Sequence, residues 1–169
     1  MTLRSILAFS LGIVLACPAI AQDQIGTVTG TVDGQPSSWT LSAGEGHESP
    51  GVWINMGPGM DLVTIFAKSD AAAESGMLNL TFGMMRNAGA TIIFRAEGYF
   101  RGGEPVSAYS APMDEGIVYT LTMVEEVEGG LHVQGDFSGD FFLASATGEI
   151  DKSQSIAIAG TFDTIVPPN

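Results

Sequence analysis

The chain is poor in the residues that carry most enzyme chemistry. It has one cysteine, Cys17, and two histidines, His47 and His132, in 169 residues. One cysteine excludes an internal disulfide, and structural zinc needs clustered Cys and His. The stretch "HESPG" at His47 is not H-E-x-x-H, and neither C-x-x-C nor a G-x-S-x-G elbow occurs. Gly57-x-Gly59 lacks the third glycine and the strand-to-helix setting of a dinucleotide loop. No cofactor is expected. Positive charge is equally scarce, with six Lys and Arg against 19 Asp and Glu. That balance repels phosphate backbones and anionic membrane surfaces, so nucleic acid is not an expected partner. An acidic surface serves solubility before it serves chemistry.

Long apolar runs are also missing. The run from Ser5 to Ala16, "SILAFSLGIVLA", has twelve residues, whereas a membrane-spanning helix needs about 20. Arg4 precedes it and Ala19-Ile20-Ala21 follows. Together they form a secretory signal peptide, residues 1–21, cut before Gln22. A second reading competes. The segment "VLAC", ending in Cys17, resembles the bacterial lipobox, and that resemblance implies a lipid anchor on Cys17. Leu15 is larger than the residue usual at its position, and Pro18 is awkward directly after a modified cysteine. Cleavage after Ala21 is therefore the expectation, which leaves a periplasmic or secreted chain, 22–169, without cysteine. No second stretch is apolar enough to cross a membrane as a helix.

What is present is glycine, 22 residues of it, between short β-prone runs. Thr27 to Val32 alternates Thr with Val and Gly, and Asp33-Gly34 then marks a hairpin turn. Trp39 and Leu41 share a face. Met60 to Lys68 is apolar on both faces, as in a central strand. Leu78, Leu80, Phe82 and Met84 alternate, and so do Ile117, Tyr119, Leu121 and Met123. "SDAAAES", 69–75, is the one helical candidate. The pattern predicts an all-β, single-domain antiparallel β-sandwich of about ten short strands, with a small closed β-barrel as the alternative. A transmembrane barrel is disfavoured, because the strands look nearer six residues than ten and no aromatic strand ends the chain.

Two sequence features invite a structural test. "LHVQGDF" (Leu131–Phe137) returns as "IAIAGTF" (Ile156–Phe162), and the central glycines are expected either to let a large neighbour approach or to mark a bulge that re-aims the Phe. The stretch from Glu97 to Gly116 reads as a long irregular loop with a short edge strand at Val106–Tyr109. Its Tyr99, Phe100, Arg101 and Tyr109 are the candidate ligand contacts, since aromatics and Arg on loops are common contact residues.

The functional expectation is a non-catalytic binding or structural protein of the cell envelope, whose partner is an unidentified ligand or envelope protein. Two rivals stand beside it. Calcium could be held where Glu125, Glu126 and Glu128 meet Asp136, Ser138 and Asp140. Cu(I) could be held by the methionines, among them Met56, Met60, Met84 and Met85, with His47 or His132, although Met84 and Met123 fall at core positions of their strands, where Met is filler. The second rival is a hydrolase with a triad assembled in space around a histidine. Asn79-Leu80-Thr81 is a glycosylation sequon, discounted because it falls within an expected strand. Intact-mass spectrometry of the protein from its host's envelope should return a chain beginning at Gln22. An acylated chain beginning at Cys17 would place it on a membrane instead.

Overall fold

The computed structural model describes residues 23–43, 50–69, 76–87, 89–102, 107–113 and 115–169. The leader, the loop at 44–49 and the helical candidate beyond Ser69 lie outside them. Ten strands follow one another: β1 (Asp23–Val32), β2 (Gln35–Ala43), β3 (Gly51–Gly57), β4 (Met60–Ser69) and β5 (Met77–Asn87), then β6 (Ala90–Gly102), β7 (Ser107–Ala111), β8 (Ile117–Val127), β9 (Gly130–Ala144) and β10 (Ile150–Val166). Every pairing between them is antiparallel. The all-β antiparallel expectation is met, and so is the number of strands.

The strands form two sides. One runs β8-β9-β10-β1-β2 and the other β3-β4-β5-β6-β7. Two short seams join them into one sheet. Trp39 and Thr40 of β2 pair with Ser69 and Lys68 of β4, and Ala108 to Ser110 of β7 pair with Phe142 to Ala144 of β9. Rings meet across the interior: Phe82 of β5 lies 5.0 Å from Tyr119 of β8 and 5.8 Å from Phe162 of β10. β4 is central, as its two apolar faces suggest, with β5 on one edge and β2 and β3 on the other. The Asp33-Gly34 turn takes φ of 48° and 76°, the left-handed pair that a two-residue hairpin of this kind requires.

The interior is apolar and continuous, from Val28 and Trp39 to Phe162 and Val166. The outer surface of β1, β9 and β10 presents Thr27, Thr29, His132, Asp136 and Asp163. A transmembrane barrel has the reverse arrangement, polar within and apolar without. Strand length is no longer an argument on that point, because β9 and β10 run 15 and 17 residues. The sequence reads shorter strands because bulges break the alternation without ending the strand. One bulge falls between Leu121 and Met123. It turns Val124 toward the core and leaves Met123 exposed, so Met123 is not the interior residue its spacing predicts. A second falls between Asp151 and Ser155 of β10. There Ser153 and Gln154 donate to Asp151, and these hydrogen bonds hold its carboxyl below the ordinary range.

Within the stretch from Glu97 to Gly116, Glu97 to Gly102 and Ser107 to Ala111 are strand rather than loop. Its first residues complete β6, and β7 lies between β6 and β9, so β7 is not an edge strand. The open edges belong to β3 and β8. β3 is covered by the chain end, where Trp53 N–H donates to Pro167 O at 2.9 Å and Asn169 N–H donates to Trp53 O at 3.0 Å. β8 carries the bulge and the exposed Glu125 and Glu126, two devices that discourage pairing with another chain.

The repeated motif is explained by cross-strand packing. β9 and β10 are neighbours, and Gly135 stands opposite Phe162 while Gly160 stands opposite Phe137. A methyl group at Gly135 would meet Thr120 O at 2.5 Å and the Phe162 ring at 3.1 Å, and one at Gly160 would meet Thr29 O at 2.5 Å and the Phe137 ring at 3.0 Å. Each ring thus occupies the space that the facing glycine leaves empty. Gly135→Val and Gly160→Val should each lower stability by about 1–3 kcal/mol through overpacking, read from urea unfolding midpoints. Val118→Ser, at a position 66% exposed, should stay within about 0.5 kcal/mol.

Candidate functional site

Strand parity separates the four candidate contact residues. Phe100 and Tyr109 are opposite each other across β6 and β7, both turned inward, with ring centroids 6.4 Å apart. Phe100 is buried and belongs to the core, so it is not a contact residue. Tyr109 packs against that core. Tyr99 and Arg101 alternate to the outside, where they line a groove of about 630 Å³ with Ser107, Ser110, Ser145 and Ile150.

A second groove, about 340 Å³, adjoins the first on the same face and shares Tyr99 and Ser110 with it. The register builds it from rows. Phe66 of β4, Asn79 of β5, Tyr99 of β6 and Ser110 of β7 stand side by side. Thr64, Thr81 and Glu97 form the row beside them. Thr64 and Thr81 share a hydrogen bond of 3.1 Å, and Arg95 holds the Glu97 carboxylate at 2.6 Å. Asn79 Oδ1 is buried and accepts no hydrogen bond. Leaving such an acceptor unpaired costs about 1–3 kcal/mol. Neither Phe66 nor Asn79 is among the sequence candidates. Their outward parity is readable, but their place beside Tyr99 depends on long-range register.

The rival sites assemble less well. His132 is outward on β9, as expected, with Nε2 2.7 Å from Asp163 Oδ1 of β10. Gln134 Nε2 donates to the other oxygen of Asp163 at 3.3 Å. This is a His–Asp pair on an open surface, and its third member brings no nucleophilic hydroxyl. His47 lies outside the described residues. Among the described residues no three His, Cys, Asp or Glu side chains gather as a metal site would require. Met84 is buried in the core, where the thioether is filler.

One charged cluster joins the two sides of the fold. Asp61 of β4 is fully buried. Trp53 Nε1 of β3 donates to its Oδ1 at 2.8 Å, and Arg86 Nε of β5 donates to its Oδ2 at 2.9 Å. Arg86 also reaches Glu126 of β8 at 2.9 Å. The hydrogen bond to Glu126, with the charge of Asp61, raises the Arg86 pKa above its ordinary value. Farther along β8, Tyr119 donates its hydroxyl to the backbone oxygen of Glu97 at 2.6 Å, tying β8 to β6. Burial pushes that phenol above its ordinary range.

Charge is divided between the sides. Of the described acidic residues, only Asp61 and Glu97 lie on β3 to β7, together with four of the five basic residues beyond the leader: Lys68, Arg86, Arg95 and Arg101. Comparison with protein-family models, curated proteins and solved structures finds no match to this chain.

Arg86→Met should strand the buried Asp61 charge and cost about 3–5 kcal/mol. The double variant Asp61→Asn/Arg86→Met should lose less than Arg86→Met alone, because it removes the stranded charge. Urea midpoints of the three proteins check this. A loss under about 1 kcal/mol for Arg86→Met would mark the contact as an ordinary surface pair.

Proposed function

We propose that this chain is an exported, non-catalytic binding module of the cell envelope, and that it binds through the outer face of β4 to β7. The observation that carries the reading is the pair of adjoining grooves on that face, with Tyr99 and Ser110 at their junction and Arg101 in the larger one. Charge supports it. The opposite side holds most of the acidic residues, and the grooved face holds Lys68, Arg95 and Arg101 against Glu97 alone. An uncharged or anionic partner meets least repulsion there, because side chains on the far side are screened over about a Debye length. The rigid placement of the face also suits binding. β4, β5 and β6 are held by long antiparallel ladders, and a site built on strands stays in register.

Hydrogen–deuterium exchange of the purified protein, with and without envelope extract of its host, tests the assignment. Protection is expected on β6 and β7, at 97–111, and Arg101→Glu should weaken it without unfolding the exposed strand face. Protection confined to β8, β9 and β10, or none at all, would overturn the proposal.

A further inference from the structure

Three methionines stand side by side at the surface of β3, β4 and β5. Met60 of β4 is directly opposite Met85 of β5. Asp61 and Met84, which follow and precede them in alternation, are fully buried, so Met60 and Met85 face outward. Met56 is the extra residue of the β3 bulge, between the pairs Asn55–Asp61 and Gly57–Met60, and this puts it next to Met60 on the other edge. Met56 is 43% exposed and Met85 39% exposed. A methionine that fills a core is buried, as Met84 is, and these are not. Neighbouring strands stand about 4.8 Å apart, so Met56 and Met85 flank Met60 from backbones roughly 10 Å apart. Unbranched thioether side chains can close that distance onto one ion above Met60. Ile54, Ile92 and Phe94, all exposed, lie around the three. The described carboxylates of β3 to β6 are Asp61, which is buried, and Glu97, which Arg95 holds. The patch therefore offers sulfur and hydrocarbon, and no carboxylate.

We infer that Met56, Met60 and Met85 form a surface site for Cu(I), held by three neutral thioether sulfurs. This goes beyond the grooved face and stands independently of it. Thioethers are soft donors that suit Cu(I), whereas calcium and magnesium take oxygen. Zinc is held by Cys, His and carboxylates, none of which the patch presents. Three neutral ligands leave the charge of the ion uncompensated, and a chain of net charge −13 supplies an attractive field for it. A thioether binds without losing a proton, so the site does not titrate as a thiolate or imidazole site does.

The test is anaerobic competition for Cu(I) between the 22–169 chain and a chromophoric Cu(I) chelator, with ascorbate as reductant. The chain is expected to withdraw a single equivalent of copper. Met60→Leu, at the middle of the row, should weaken binding about tenfold or more, since even partners outside a metal's own ligands matter that much. Replacing Met56, Met60 and Met85 together by Leu should abolish it. Leucine keeps the bulk and the apolar surface, so thermal midpoints should hold. Met113→Leu and Met123→Leu, at exposed methionines elsewhere, should bind as the parent does. The affinity should stay level from pH 7 to pH 5, where a histidine ligand would take up a proton and let go. The inference fails if the chain withdraws no copper, or if the triple variant binds as the parent does. It also fails if the affinity falls steeply toward pH 5, which would give the copper to a histidine. Absence of extract-induced protection at 97–111 would sink the grooved face and leave the copper site standing.

Discussion

Two phenylalanine rings lying over two glycines hold the centre of this protein together. Phe137 and Phe162 sit at the same position of two adjacent strands, each facing the other's glycine. The interior of a sheet that wraps around its own core is narrow, and bulky residues on facing positions would collide. Here the bulk of one strand fits the gap of the next. Phe162 stacks against Phe82 from the opposite side, and Tyr119 joins the same cluster at 6.4 Å from Phe162. The device recurs at Gly98, where an added methyl group would meet the Phe141 ring at 2.5 Å. Glycine is abundant in this chain partly because rings need somewhere to go.

Around that centre the two sides are joined unequally. Each seam is only two or three residue pairs long, so side chains carry much of the connection. Asp61 and Arg86 link the β3–β7 side to Glu126 of β8, and Tyr119 links β8 to the backbone of β6. A buried carboxylate is costly to desolvate, and this one is tolerated because a guanidinium and an indole N–H meet both its oxygens. A small polar network thus ties the β3–β7 side to β8 beside the apolar core.

Much of this architecture is legible in the residues themselves. Period-two alternation marks the strands, Asp33-Gly34 marks its turn, and the Leu131–Phe137 echo announces two like strands in one sheet. What fails, fails at bulges. A bulge adds one residue without changing composition, so Met123 moves outward and Val124 inward with no warning in the spacing. The glycines and prolines between Glu97 and Gly116 suggest a loop, yet β6 continues to Gly102 because its hydrogen bonds to β5 override local preference. The candidate site divides for the same reason. Tyr99 and Arg101 are aromatic and basic residues on the surface, whereas Phe100 between them points inward. Phe66 and Asn79 could be read only as outward residues of separate strands, since no local pattern says that β4, β5 and β6 align them beside Tyr99.

The order of the strands along the chain has a consequence for assembly in time. β1 is made first, and its partners are β2, which follows at once, and β10, which comes last. The bond from Trp53 to Pro167 spans a similar separation. Hairpins β4–β5, β5–β6 and β8–β9 need only short loops and can form as they emerge. The circuit itself cannot close until nearly the whole chain is available, because its first strand waits for its tenth. Until β10 is made, one edge of β1 and one edge of β9 have no partner strand. The late step is the closing of β1 against β10, whereas the two Phe–Gly contacts lie within the local β9–β10 hairpin and need only the short turn between Ala144 and Ile150.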